Sequence, residues 1–401
     1  MTRFASRMSR IKPSAIRELL KVAERPEVLS FAGGLPAPET FPAAELSRAH
    51  VEVLAHDAAA ALQYGATEGY GPLREWIAAR LGGRGWAVRA SQVLITAGSQ
   101  QGIDLTARAL LDPGDVVAVE APSYLAALQA FDSCEARFAV VGSDEHGMRV
   151  DELERLLNTS AVKLVYLVPN FQNPRGVTLS LERRHALARA CARHGVTLLE
   201  DDPYGELRYS GAALPPVAAL DDDASVVYLG SFSKTLAPGL RVGFAVSSEE
   251  NIRALTVIKQ AADLHTGVLA QRAISKLLET FDYEAHLGRL RALYGQRLRA
   301  MQAALLRHLP GARCTQPEGG LFIWAQLPGG LDAELLLPEA ARERVAFVPG
   351  APFYPARPQR DTLRLNFSIR SAELIDVGME RLGQCVARKL STAAPEQRAA
   401  V

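Results

Sequence analysis

Residues 226–246 read VVYLGSFSKTLAPGLRVGFAV, two apolar runs bracketing a segment that crowds hydroxyls, a lysine, glycines and an arginine together. Short runs rich in β-branched and aromatic residues, bounded by glycine and proline, read as strands. The same signal recurs upstream in VLIT (93–96), VVAVE (116–120), KLVYLVP (163–169) and VTLLEDD (196–202), and most of these runs are separated by stretches that read as helices. Strands alternating with helices predict an α/β fold with a doubly wound, mostly parallel sheet. Such sheets bind ligands in the crevice beyond the carboxyl ends of their strands, so the residues that follow each run are the candidates to weigh.

Further out the grammar changes. Ile16, Leu19, Leu20 and Ala23 recur at helical spacing after Ser14, which predicts a helix ending near Pro26. The crossing SFAGGLPAPETFP (30–42) follows, and its glycines permit close approach of backbone to a ligand, with Gly34 the candidate. An amphipathic stretch over 281–308 reads as a connector into a second domain that includes GGLFIWAQL (319–327) and TLRLNFSI (362–369). The expected organisation is a large domain over 41–284, with a smaller α+β domain built from both chain ends, 1–40 and 285–401. The tail after Leu390, STAAPEQRAAV, is small and polar and is expected to fray.

The chain has 401 residues, 48% hydrophobic and 22% charged, with a formal net charge of +1. That length suits about two domains, and that charge gives no electrostatic reason to expect nucleic acid or membrane. Cys134, Cys191, Cys314 and Cys385 are far apart with no C-x-x-C pair, which fits a reducing cytoplasm rather than a disulfide framework or a thiolate zinc site. No apolar run approaches the roughly 18 residues of a membrane span. The start MTRFASRMSRIK lacks the apolar centre of a secretory signal, and an organellar transit peptide is not expected. The eight histidines show no metal-binding spacing, so no catalytic metal is expected.

Lys234 stands just past a strand end, and it is one of only seven lysines in a chain rich in arginine. Arginine keeps its proton in a protein whereas lysine can lose it, so Schiff-base chemistry with a carbonyl requires the lysine. Ser231 and Ser233 offer hydroxyls and Arg241 a planar fork, a set suited to one phosphate. A solvated surface lysine is the plain alternative, which the strand end and these neighbours disfavour. In LITAGSQQGIDL (94–105) a strand gives way to a helix at a Gly-Ser pair, so free N–H groups would face an anion, with Ser99 and Gln100 adding donors. Taken alone, Ser99 reads better as a helix cap.

Acidic residues crowd the end of VTLLEDD. A carboxylate against a pyridine nitrogen keeps it protonated and makes the ring an electron sink, and Asp201 is the candidate; a solvated strand end is the alternative. Tyr204 suits a phenol bonded to an oxygen of that ring, and Asn173, in an Asn-Pro turn, could donate to the same oxygen. TLRLNFSI alternates, with Leu363, Leu365, Phe367 and Ile369 on a core face and Arg364, Asn366 and Ser368 on the other. Arg364, fixed on a strand, reads as a bidentate clamp for an α-carboxylate, while Arg370 reads as a surface charge.

In their order and spacing these segments resemble the class I aminotransferases of pyridoxal-phosphate (PLP) fold type I, in the 2-aminoadipate and kynurenine aminotransferase branch. The resemblance covers nearly the whole chain, through SAIRELLK, SFAGGLPAPETFP, LQYGATEGYGPLR, ITAGSQQ, EAPSY, FQNPRG, EDDPY, SFSKTLAPGLRVGF, PEGGLFIW, FVPG and LRLNFS. It implies Lys234 as Schiff-base lysine and general base, Asp201 as pyridinium partner, and Tyr204 and Asn173 as contacts of the 3-oxygen. It implies Ser99, Gln100, Ser231, Ser233 and Arg241 around the phosphate, Tyr124 stacked on the ring, and Arg364 on the α-carboxylate. Tyr64 matches a tyrosine that reaches the neighbouring subunit's phosphate, which implies a homodimer with shared sites. Arg17 matches an arginine used for side-chain recognition, with a solvated helix surface as its alternative. One departure is Arg175, where the family usually has threonine in N-P-T-G; it puts local loop geometry or substrate access in question.

The activity implied is transfer of an amino group from an L-amino acid of 2-aminoadipate, glutamate, leucine, aromatic or kynurenine type to a 2-oxo acid such as 2-oxoglutarate. Two other readings share the fold. A PLP lyase or decarboxylase would use the same lysine, aspartate and cradle, and an effector-sensing domain of a transcription regulator would carry a winged-helix domain ahead of it, for which the N-terminus leaves no room.

Overall fold

The computed structural model describes residues 4–9 and 27–398. All the quoted apolar runs form strands, and one strand more completes a seven-stranded sheet: β1 (Val93–Thr96), β2 (Val116–Glu120), β3 (Arg137–Val141), β4 (Val162–Leu167), β5 (Thr197–Asp201), β6 (Val226–Ser231) and β7 (Gly243–Val246). The order across the sheet is β1-β7-β6-β5-β4-β2-β3, parallel except that β7 runs antiparallel to both neighbours. Near-continuous apolar runs such as VLIT, buried along its whole length, are what a sheet covered on both faces requires. The strand missed in the sequence, RFAVV, lies at the sheet edge and is only partly buried, so its pattern is weaker.

This order puts the carboxyl ends of β1, β2, β4, β5 and β6 on one edge of the sheet, together with the start of the reversed β7. Helix Ser99–Leu110 crosses beneath that edge. Gly102 lets it lie close, since a Cβ there would stand 2.5 Å from Leu229 of β6. Elsewhere the helix ends carry ordinary caps: the Ser180, Ser248 and Asp282 side chains accept from the third residue on, and Gly195 closes Leu181–His194 in the left-handed conformation.

A second sheet, antiparallel, has the order β8-β9-β11-β10, where β8 is Arg313–Cys314, β9 Phe322–Gln326, β10 Val348–Pro349 and β11 Thr362–Asn366. Helix Tyr283–His308 precedes it, at the stretch read as a connector, and packs against helix Ala372–Arg398. Leu29–Ser30 pairs in parallel with Val345–Ala346, tying the chain's beginning to its last third.

Residues 362–368 are buried on both faces, the polar face of TLRLNFSI included. One expectation needs correction. Arg370 is half-buried and donates to the Val28 carbonyl at 3.3 Å, so it docks the N-terminal crossing and is not a free surface charge. The last helix continues past Leu390 to Arg398, through Ala, Glu, Gln and Arg that favour a helix. The expected helix from Ser14 to Pro26, with Arg17, lies outside the described residues.

Candidate active site

At the edge where the strand ends converge lies a cavity of about 300 Å³ lined by Ser99, Gln100, Tyr124, Asn173, Asp201, Tyr204, Ser231, Ser233, Lys234, Arg241, Arg364 and Gly34. It gathers twelve residues singled out from separate stretches of sequence. Of the two remaining candidates, one falls elsewhere and one cannot be placed. Tyr64 lies on the surface, 77% exposed and edge-on to His265, and Arg17 is outside the described residues.

One end of the cavity is an anion cradle. Past β1 the chain turns at Gly98, whose φ of +84° is a glycine conformation, and a Cβ there would stand 2.6 Å from the Arg241 guanidinium. That close approach lets Arg241 donate to the Ala97 carbonyl at 2.8 Å, so the arginine and the helix N-terminus at Ser99 face the same space. Ser231 Oγ donates to Ser233 Oγ at 2.9 Å and accepts from the Ser233 N–H at 3.1 Å, which fixes both hydroxyls beside it.

The opposite end is built on β5. None of its three acids is solvated: Glu200 accepts from the N–H groups of Val217 and Ala218, Asp202 from Asn170 and the Tyr228 hydroxyl, and Asp201 from the Tyr166 hydroxyl at 3.0 Å. Asp201 keeps its other oxygen, Oδ1, buried and without a partner, and burial pushes its carboxyl up to about 7. An orphaned carboxylate oxygen aimed into a cavity is a place for a ligand N–H. Tyr124, at the start of helix Leu125–Ser133, is half-buried, and burial and then Asp201 push its phenol up to about 12.

Lys234 Nζ donates to the Gly34 carbonyl at 2.8 Å. Burial, with the nearby guanidinium groups of Arg364 and Arg241, brings its ammonium down to about 8, so a reactive amine is within reach near neutral pH. Arg364 projects from β11, 4% exposed, and donates to Asn173 Oδ1 and to the Ala32 carbonyl, both at 2.8 Å. Its guanidinium lies 4.2 Å from the ring centre of Phe322, Nε has no partner, and among the described residues no carboxylate pairs with it. Burial lowers its pKa to about 10. A buried cation whose described partners are neutral has charge available for an anion.

Arg175 does not line this cavity. It faces a separate cleft of about 980 Å³ and donates to Ser143 Oγ at 2.8 Å. Sequence reasoning missed Tyr166, Phe322 and Lys259. Tyr166 reads as one more apolar residue of KLVYLVP, although a tyrosine in a buried strand needs a hydroxyl partner. Lys259 is fully buried and donates to Gln101 and Asp263; its spacing of four from Asp263 was the available signal.

A PLP molecule fits this donor set: a cradle of hydroxyls, N–H groups and a guanidinium for the phosphate, an orphaned carboxylate oxygen for the ring nitrogen, and an amine for the aldehyde. Among the described residues no group of three or more His, Cys, Asp or Glu side chains could hold a metal.

Known proteins share this architecture and much of this sequence. The model of the family "Aminotransferase class I and II" matches residues 27–382. The chain is 44% identical to the 2-aminoadipate transaminase of Thermus thermophilus, over 96% of each chain. It is 42% identical to aromatic-amino-acid aminotransferase 1 of Thermococcus litoralis, over 96% of this chain and 94% of that one. The crystal structure of the alpha-aminoadipate aminotransferase of Thermus thermophilus, complexed with N-(5'-phosphopyridoxyl)-L-leucine, superposes with a TM-score of 0.91 at 43% identity, covering 97% of this chain and 98% of that one. A match across nearly the whole length, on the fold that carries the cavity at its strand ends, leaves one conclusion: the chain belongs to the class I and II aminotransferases and has their PLP fold type I.

Proposed function

We propose that the chain is a PLP-dependent aminotransferase that moves the amino group of an L-amino acid, of 2-aminoadipate, glutamate, leucine or aromatic/kynurenine type, to a 2-oxo acid such as 2-oxoglutarate. The observation that carries this is the conjunction, in one cavity, of a lysine with a lowered pKa, a carboxylate with an orphaned oxygen and a buried arginine that meets no counter-ion among the described residues. Bound there, PLP supplies an aldehyde to take the amino group and a pyridinium ring that draws electrons from the substrate's α-carbon.

Each residue then has a task. Ser99, Gln100, Ser231, Ser233 and Arg241 hold the phosphate, and Tyr124 stacks on the ring. Asp201 Oδ1 accepts from the ring nitrogen, while Tyr204 and Asn173 donate to the ring's 3-oxygen. Arg364 takes the α-carboxylate in its fork, with Asn173 beside it and the Gly34 backbone lining the approach. Lys234 Nζ would hold the cofactor's aldehyde and, when unprotonated, would serve as the base that takes and returns the substrate's α-proton. Arg17 is the proposed selector of acidic side chains, and Arg17→Ala should lower kcat/KM for 2-aminoadipate by about tenfold, roughly 1.4 kcal/mol, while sparing leucine.

The same reading makes the protein a cytoplasmic homodimer in which Tyr64 reaches the partner's phosphate, with no nucleic-acid or membrane partner. Its exposure, the four free cysteines and the near-neutral charge support this, and among the described residues no helix is long and apolar enough to cross a membrane. The division into a large domain, 41–284, and a small one from 1–40 and 285–401 is supported by the pairing of Leu29–Ser30 with Val345–Ala346. Borohydride reduction of the PLP-loaded protein tests the lysine: the reduced cofactor should be recovered on the peptide carrying Lys234 and be absent in Lys234→Ala. Recovery on any other lysine would overturn the assignment.

A further inference from the structure

Asp201 has two oxygens with different fates. Oδ2 accepts the Tyr166 hydroxyl at 3.0 Å, while Oδ1 is buried, unpartnered and belongs to a residue of the cavity wall. Tyr166 is 1% exposed on β4, beside β5, in register with Leu199 two residues before Asp201. Its ring meets Phe131 edge-on at 5.5 Å, so it is wedged in place and its hydroxyl has no other partner among the bonds of the described residues. Asp202, the next acid along the strand, is occupied by Asn170 and Tyr228.

A carboxylate facing a pyridine nitrogen shares one proton with it, and the proton can sit on either atom. With the proton on nitrogen, Asp201 is an anion and its bond from a phenol is charge-assisted; with the proton on oxygen, that bond is an ordinary one. Burial and the nearby Asp202 both push the Asp201 proton toward oxygen, and the Tyr166 bond is the contact that opposes them. We infer that Tyr166 is a positioning residue which holds the shared proton on the cofactor's ring nitrogen and turns Oδ1 toward it. This rests on the proposed role of Asp201.

The test is the chemical shift of the ring nitrogen in protein loaded with ¹⁵N-labelled PLP. The parent should give the protonated value, Tyr166→Phe should shift the proton ratio toward oxygen by about tenfold, and kcat should fall by a similar factor with KM little changed. Loaded with the analogue that has carbon in place of the ring nitrogen, parent and Tyr166→Phe should have equal rates. If Tyr166→Phe does not fold, replacement of Tyr166 by 3,5-difluorotyrosine, a stronger donor of nearly the same shape, should keep the nitrogen at least as protonated as in the parent. A nitrogen that stays fully protonated in Tyr166→Phe, or that loses its proton beside the stronger donor, would overturn the inference. Asp201→Asn separates the two claims: if it too leaves the nitrogen shift unchanged, the role of Asp201 falls, and Tyr166 with it.

Discussion

Arg364 donates to two neutral oxygens, and among the described residues no carboxylate pairs with its charge. Because the fork would meet a carboxylate common to all amino acids, Arg364→Ala should weaken acidic and apolar substrates alike, by about 2–5 kcal/mol each, read as KM across a panel. A loss confined to acidic substrates would make it a side-chain selector. Asp201 gives a pH signature. Its folded pKa of about 7 lies above the ordinary carboxylate value, so it favours the fold while protonated, and that contribution is lost as pH rises through about 7. Without cofactor, the parent should therefore lose more melting temperature between pH 5 and 8 than Asp201→Asn, which cannot ionise; parallel curves would contradict the shift. Lys234, Asp201 and Arg364 were legible because each follows or sits on an unmistakable strand. Tyr166 was not, since its meaning depends on a partner 35 positions away that only strand register brings near.

The turn at Gly98 and the start of helix Ser99–Leu110 form one element, an N-terminus held against Arg241. A side chain at position 98 would meet the guanidinium and strain a positive φ, so Gly98→Ala should weaken PLP binding by roughly 1–3 kcal/mol in equilibrium titration of protein lacking the cofactor. Unchanged affinity would mean that the phosphate lies elsewhere. The Gly-Ser step after an apolar run made this turn readable from sequence. Edge strand β3 was not, because a half-buried edge dilutes the apolar signal.

At the scale of the whole molecule, a tyrosine 77% exposed and outside the cavity of its own chain makes sense if a second copy covers it. Mixing Lys234→Ala with Tyr64→Phe should restore activity through hybrid dimers that hold one site free of both changes; full activity in a demonstrably monomeric protein would refute sharing. The α/β order was legible because its strands are buried and continuous, whereas any pairing of subunits would leave no periodic trace in one chain. The most direct measurement of the central claim is a single turnover of the PLP-loaded protein with L-2-aminoadipate and no acceptor. One equivalent of the 2-oxo acid per site should appear together with pyridoxamine phosphate, and added 2-oxoglutarate should restore the original absorbance. Release of carbon dioxide or of an unsaturated product, with the cofactor returned as PLP, would mean that the site does not transfer amino groups.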